Sequence, residues 1–481
     1  MLRTRQTRNH KPEEKGDFSN KDELPASGLK IMRVNLIMLN LVGLLPPSGS
    51  GPLIRSMYKV FVACVLVMEV LILAGQFIAV VIYWGNLHLI ANTMCLMNGC
   101  VLSFVSCTYF LRNKTKFLML IDLLKVKFVA ETKSKYIKLV QNAERQIITY
   151  LYLSSPIVAC SIFSWVIAPF INRSNFSNIK DSNATKREQS VENMIFVMWT
   201  PFDIEQSPQF EIITALQVFF VNVGTGIIYA VGMLFLSLMS HSAAQFKVLA
   251  AMLDDMQENI HTDVLPNKKR IFLLNKDLPD VPEEEAPVYI RHESSWPENN
   301  QQSISHSSEL ILSKKIGDKN RFDEDEFQKY LVNCIKCHRD IINFVDHVNE
   351  VTSIVTFLQI LNLPIMLCVT GFHMTQTFND REQFFKFSSL LAATLYLIFS
   401  YSWFGQQLIN ESEKVATALY STDWYNRRAG FKVLLPLAIM RASKPVKVKA
   451  GVFYDLSFLT FASIINAAYT YLTMLIQLSD S

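Results

Sequence analysis

Seven long apolar runs constrain this 481-residue chain more than any other feature of it. A helix needs about 20 mostly apolar residues to cross the hydrocarbon core of a bilayer. Seven windows reach that length: 60–82, 87–111, 147–171, 212–239, 351–377, 387–409 and 452–478. Within them the only Asp, Glu, Lys or Arg residues are Glu69 and Asp455. Lipid offers no partner to backbone N–H and C=O groups, so such runs are expected as helices, which satisfy those groups internally. Pro156 and Pro364 lie inside the third and fifth windows and should kink rather than end them. The predicted fold is therefore all-α and membrane-embedded, with seven transmembrane helices. Charged residues make up 18% of the chain, against about 25% in globular domains, which argues against an ordinary soluble enzyme. The net charge of +4 indicates no nucleic-acid partner.

Orientation follows from where the cations lie, because cytoplasmic loops carry an excess of Lys and Arg. Segments 1–56, 112–146, 241–346 and 410–450 hold 39 of the 46 Lys and Arg, whereas 172–208 and 375–386 hold 6. This predicts an inverted topology, with the N-terminus cytoplasmic and the C-terminus outside. Glycosylation acceptors agree: Asn172, Asn175 and Asn183 crowd into the one sizeable loop assigned to the outside. Asn113 and Asn410 also match the pattern but lie at cytoplasmic span ends. The first 28 residues are polar and charged, with no apolar core of a cleavable signal peptide.

Segment 1–56 is expected as a cytoplasmic region whose stretch 31–45, interrupted by Arg33, Asn35 and Asn40, is interfacial or re-entrant. Spans 1–4 fall within 57–240 and spans 5–6 within 351–409. Between them, 241–350 is a cytoplasmic loop. It should be disordered over about 261–326, which is rich in charge, Ser, Asn and Pro. It then turns helical from Phe327, where Tyr330, Leu331, Cys334, Ile335, Ile341, Ile342 and Val345 recur at helical spacing. In segment 410–450, residues 411–426 fit an amphipathic helix, and 431–440 is apolar but too short to span. Helices from several spans should thus extend into the cytosol and pack there. Segment 451–481 carries span 7.

The eight Cys lie mostly within apolar runs and do not form a secreted disulfide pattern. Cys334-Ile335-Lys336-Cys337-His338 spells a haem-attachment motif, but it sits on a cytoplasmic helix and has no second Cys pair for zinc. No metal or cofactor is expected. Glu69, near the middle of span 1, reads either as a relay group or as an internally hydrogen-bonded structural acid. In span 7, Ser463, Asn466, Thr470, Thr473 and Gln477 recur at spacings of three and four, on one helical stripe. Such a stripe can line water or bond to neighbouring helices. Four copies meeting at an axis would form a polar tunnel, closed at its outer end by a ring of Met474 and Leu478 that gates by dewetting. Aromatic and small residues crowd the outer halves of spans 2, 3, 4 and 6, among them Ser161 and Trp165 on one face of span 3, and Tyr396 and Phe399 in span 6. They can line a ligand cavity or serve as ordinary helix packing.

The chain resembles the insect odorant receptors. The likeness is carried by Leu41 to Pro47, by Pro201-Phe202-Asp203 with Ser207-Pro208, and by YSWFGQQLINESEKVATALYSTDWYN at 401–426. Arg441-Ala442-Ser443-Lys444-Pro445 and the terminal run through Thr470-Tyr471 complete it. It extends over most of the chain and is sharpest in the last 90 or so residues. The resemblance implies the same inverted seven-helix topology, a cytoplasmic anchor domain in 410–450, and a tetrameric odorant-gated non-selective cation channel. Such a channel combines a tuning subunit with a common co-receptor, or self-assembles, in the dendritic plasma membrane of olfactory neurons. It implies that span 7 lines the pore, with the gate on Met474 and Leu478 beside Gln477. It also implies an odorant pocket at Ser161, Trp165 and Tyr396, with Phe399 added from the same stretch of span 6. The Thr470-Tyr471 ending and the long loop before span 5 are similar to the co-receptor, and that ending also to gustatory receptors. The stretch 421–426 is similar to the tuning receptors. A gustatory receptor is one alternative; a metabotropic seven-helix receptor, with its N-terminus outside, is another.

Overall fold

Local sequence sets where each helix begins and ends. The computed structural model describes residues 30–47, 49–129, 132, 134–176, 194–201, 208–261, 307–378 and 380–480. Within these, the side chains of 87, 88, 127, 129, 172–176, 261, 307–324 and 478–480 are not described. The helices are α1 (Lys30–Leu41), α2 (Pro52–Ile82), α3 (Leu87–Leu123), α4 (Ile137–Phe176), α5 (Gln209–Asp254), α6 (Met256–His261), α7 (Ser307–Gln376), α8 (Arg381–Tyr420), α9 (Ala429–Ala442) and α10 (Phe458–Asp480). Pro52 opens α2, where a missing N–H costs nothing. Asp380 caps α8 by accepting from the N–H of Glu382 and Gln383. Among the described residues seven helices, α2, α3, α4, α5, α7, α8 and α10, are long and apolar enough to cross a membrane; they are spans 1–7. Pro156 lies within α4 and Pro364 within α7, and neither ends its helix.

Span 4 is the axis of the protomer. Every residue from Ala230 to Phe246 on it is buried, the mark of a helix surrounded on all sides. Spans 2, 3, 5 and 6 pack around it, and so does α1. The 31–45 stretch, expected at the interface or re-entrant, is thus a helix wedged against spans 3 and 4. Asn35 on it is fully buried and donates to the Ser237 hydroxyl of span 4 at 2.8 Å. The buried Glu144 carboxylate of span 3 lies beside the first-turn N–H groups of Lys30 and Ile31, where a negative charge suits the start of a helix.

The 70 residues of span 5 measure about 105 Å at about 1.5 Å each, over three times the hydrocarbon thickness. The surplus, with the ends of spans 3, 4 and 6, forms a packed domain at the end of the bundle away from the 172–208 loop. Asn259 donates to the hydroxyls of Tyr136 and Tyr330 at 2.9 and 3.1 Å, and Tyr330 donates to the Met252 carbonyl. Lys135 bridges Asp255 and Glu258 at 3.0 and 2.8 Å, and the Arg427 guanidinium lies 3.4 Å from the Phe327 ring centre. Cys334 and His338, from the haem-like motif, are buried in this packing, with His338 edge-on to Phe246.

Three stretches differ from expectation. Residues 262–306 of the segment expected to be disordered lie outside the described residues, but 307–326 is the first part of α7. That part has one Gly and no Pro, and extending a packed helix avoids the cost of nucleation. The helix expected over 411–426 is the continuation of span 6, and it stops at Tyr420; a short 3₁₀ turn, Trp424–Asn426, follows. Span 7 begins at Phe458 rather than at 452, because the preceding residues form a hairpin: β1 (Lys449–Ala450) pairs antiparallel with β2 (Tyr454–Asp455). Gly451 turns the hairpin at φ +65°, and its N–H donates to the Ser353 carbonyl of span 5. Asp455 therefore lies before the span, where it pairs with Lys447 at 2.8 Å.

The hairpin is pressed against span 6 at Gly405, where a Cβ would stand 2.7 Å from the Leu456 Cβ and collide with the Leu456 carbonyl. Backbone cannot yield as a flexible side chain can. Gly405→Ala should therefore cost about 1–3 kcal/mol by overpacking and lower the unfolding midpoint of the detergent-solubilised protein. An unchanged midpoint would show that the hairpin moves freely on span 6.

Candidate functional site

Trp165 anchors the first site. Span 3 carries it, buried, with Ser161 buried one turn before. Phe387 from span 6 meets the indole edge-on, ring centres 5.7 Å apart, and His373 from span 5 stacks on Phe387 at 4.3 Å. Cys95 of span 2 closes the apolar wall. The Lys386 ammonium, itself buried, lies 3.9 Å from the Trp165 ring centre. A desolvated contact of this kind is worth about 2 kcal/mol. Ser164 and Ser389 join spans 3 and 6 through their hydroxyls at 2.9 Å, and among the described residues the Trp165 indole nitrogen has no hydrogen-bond partner. An apolar wall with a few convergent polar groups suits a small, mostly apolar molecule bearing one acceptor group.

Segment 194–199 plugs this end of the bundle. Met194, Ile195, Phe196 and Val197 are all buried. The Gln217 side chain on span 4 accepts from the N–H of Ile195 and Phe196 and donates to the Phe196 carbonyl. Gly75 of span 1 lets the backbone approach closely: the Trp199 N–H reaches its carbonyl at 2.9 Å. The plug packs against Ile72, Leu96, Ile162 and Val221 and so roofs the helices around Ser161.

Tyr396 and Phe399 do not join Trp165. Nine and twelve residues beyond Phe387 on a straight helix place them about 14 and 18 Å further along its axis. Tyr396 stacks on Tyr150 at 5.2 Å, in a second aromatic cluster where Tyr229 and Ser154 share a hydrogen bond of 2.6 Å. Phe399 packs on Trp403, Phe458 and Phe461, at the base of span 7. Sequence reasoning missed Lys386, Phe387 and His373 as site residues. Lys386 falls just outside a window chosen for lacking charge.

Span 7 is the second site. It is the least covered of the seven, with 11% of its apolar window buried. Ser463, Asn466, Thr470 and Gln477 are exposed and Thr473 is partly so, while Met474 on the same side is 59% exposed. The Leu478 backbone belongs to the helix, but its side chain lies outside the described residues. The polar stripe thus faces away from the protomer's own helices. On its opposite side, span 7 meets span 5 closely: a Cβ on Gly371 would stand 3.2 Å from Leu472.

The remaining sequence candidates are placed as follows. The buried Glu69 accepts from the Ser103 hydroxyl at 2.5 Å, a clip between spans 1 and 2. Asn172 and Asn175 fall on the last turns of α4, with side chains not described, and Asn183 lies outside the described residues. Among the described residues no group of three or more His, Cys, Asp or Glu is arranged to hold a metal ion.

Comparison with known proteins matches residues 86–469 to the family described as 7tm Odorant receptor. Odorant receptor 10 of Aedes albopictus is 28% identical over 145 residues, covering 30% of this chain and 38% of that protein. Odorant receptor 67a of Drosophila melanogaster is 32% identical over 141 residues, 29% and 34% of the two chains. The odorant receptor coreceptor of Drosophila melanogaster is 25% identical over 144 residues, 30% of each. These alignments span well under half of each relative. The solved structure of the insect olfactory receptor OR5 from Machilis hrabei in complex with eugenol superposes with a TM-score of 0.69. It is 13% identical, and the match covers 93% of this chain and 97% of that one. That likeness is one of fold.

Proposed function

The chain belongs to the seven-transmembrane odorant receptor family, and from that membership we propose that it is a subunit of an odorant-gated, non-selective cation channel. It would sit in the dendritic plasma membrane of olfactory neurons with its N-terminus cytoplasmic, and work in a tetramer with the common co-receptor or with its own copies. The observation that carries the channel reading is the outward polar stripe of span 7. The hydroxyls of Ser463, Thr470 and Thr473 donate to carbonyls of their own helix, but the exposed amides of Asn466 and Gln477 turned toward lipid are unfavourable and call for water or another helix opposite them. Four such helices around an axis supply both, and Met474 then lies in the ring that closes it.

In this reading a volatile molecule binds at Trp165, under the plug of residues 194–199. It opens the channel only by as much as it prefers the open state to the closed one. A route to the pore is short. His373, stacked on Phe387, lies two residues from Gly371, which meets Leu472 of span 7 close to Met474. Phe399 and Trp403 meet the base of the same span, so Phe399 takes a transmitting rather than a ligand-binding place.

The test is expression with and without the co-receptor while currents to a panel of volatile and tastant compounds are recorded. Inward cation currents to a subset of volatiles are expected. Currents to sugars or bitter compounds alone would move the reading to a gustatory receptor. An N-terminal epitope accessible on unpermeabilised cells would favour a metabotropic receptor instead.

A further inference from the structure

The first two turns of span 1 carry two faces with different chemistry. Leu53, Ile54, Met57 and Val60 are exposed and apolar, as lipid-facing residues are. Pro52, Arg55, Ser56 and Lys59 follow at spacings of three, four and seven residues from the first, and so share another face. With Ser50 they line a concavity of about 330 Å³. Among the described residues neither Arg55 nor Lys59 forms an ion pair. Lys114 of span 2 lies close enough to Lys59 for the two charges to repel. Among the described residues the enclosed Ser50 hydroxyl has no hydrogen-bond partner. Cations gathered around a hollow without an acid among them are stabilised by a bound anion, and the partial positive charge of the helix start adds to that attraction.

We propose that this concavity binds the phosphate-bearing headgroup of an anionic lipid in the leaflet facing the cytosol. The geometry favours a lipid over a free phosphate, because the cationic face and the apolar, lipid-facing residues belong to the same two turns. A molecule with its phosphate on Arg55 and Lys59 lays its acyl chains toward the membrane interior along Val60, Val67 and Leu71, which are exposed on the same helix. Juxtamembrane cations are drawn to an anionic membrane surface. The inference uses the orientation given by the charge count and does not depend on what opens the channel.

The experiment measures binding of dioctanoyl phosphatidylinositol 4,5-bisphosphate to the full-length receptor, purified in neutral detergent. Arg55→Gln with Lys59→Gln should weaken binding at least tenfold, while Lys59→Arg retains it. Lys135→Gln, which removes a cation already paired to two carboxylates, should leave it unchanged. Both substituted side chains are exposed, and an unfolding midpoint equal to the parent's checks that the fold is intact. The single variant Arg55→Gln, expected to weaken binding severalfold, serves if the double variant does not express. Equal affinity in parent and variants overturns the site. Displacement of the lipid by an equal concentration of inorganic phosphate overturns the lipid as its occupant.

Discussion

Met474→Ser is expected to raise the resting cation conductance at least about tenfold. Burying one apolar side chain of this size contributes about 1.5–3 kcal/mol, and a closed apolar ring excludes water by the same physics. Serine shortens the side chain and offers a hydroxyl to water, so closure loses its dewetted barrier in each subunit that carries the change. The helix itself should tolerate the substitution, because Met474 is 59% exposed and supports little of the protomer's own packing. Whole-cell recording without ligand reads the result, with surface labelling to correct for expression. Leu478→Ser is the companion variant. Unchanged leak and unchanged ligand gating in both would remove the gate from this end of span 7.

Trp165→Ala should lower ligand sensitivity on the order of a hundredfold. The indole carries one of the largest apolar surfaces available to a side chain, and it holds Lys386 and Phe387 in place through its face and edge. Truncation removes the wall and also leaves a buried ammonium without the ring it rests on. Trp165→Phe keeps an aromatic face under Lys386 and should lose less than about tenfold, since a smaller ring still supports part of the cation–π contact. Dose–response curves at matched surface expression separate the two variants. Resting conductance should be the same in both, because Trp165 lies on span 3, away from the polar stripe of span 7. A dose–response curve for the alanine variant that overlays the parent's would move the ligand elsewhere.

The seven spans were readable in the sequence because lipid imposes one requirement on all of them, a run of about 20 apolar residues. Where another rule acted, hydropathy alone misplaced the boundary. Residues 452–457 are apolar enough to be taken for the start of span 7, yet they complete a hairpin whose sign was Gly451. Residues 307–326 were grouped with a Pro-rich neighbour, although their own composition suits a helix. Segment 194–199 is an apolar run within an otherwise polar loop, and that run was the available sign of a plug. The polar stripe of span 7 was legible because a helical period is a local property. Which residues meet Trp165 was not, because that depends on the relative depth and rotation of four helices. Tyr396 and Phe399 share a helix with Phe387 but are too far along it to reach the same ligand. Lys386 lies one residue before its apolar run, where the charge hides it, whereas His373 lies within a run and nothing in the local pattern marks it as facing Phe387.

The hydrogen bond between Asn35 and Ser237 joins residues 202 positions apart. At about 5–20 residues per second, the ribosome needs about 10–40 s to go from one to the other. Among the described residues, the buried amide of α1 therefore has no side-chain partner until the fourth span has been made and inserted. During that interval α1 waits without this bond, and the axis around which the protomer closes reaches it only after three spans have been made. Maturation of this receptor is thus timed by span 4, and a translational pause before span 4 lengthens the vulnerable period, whereas a pause after it does not.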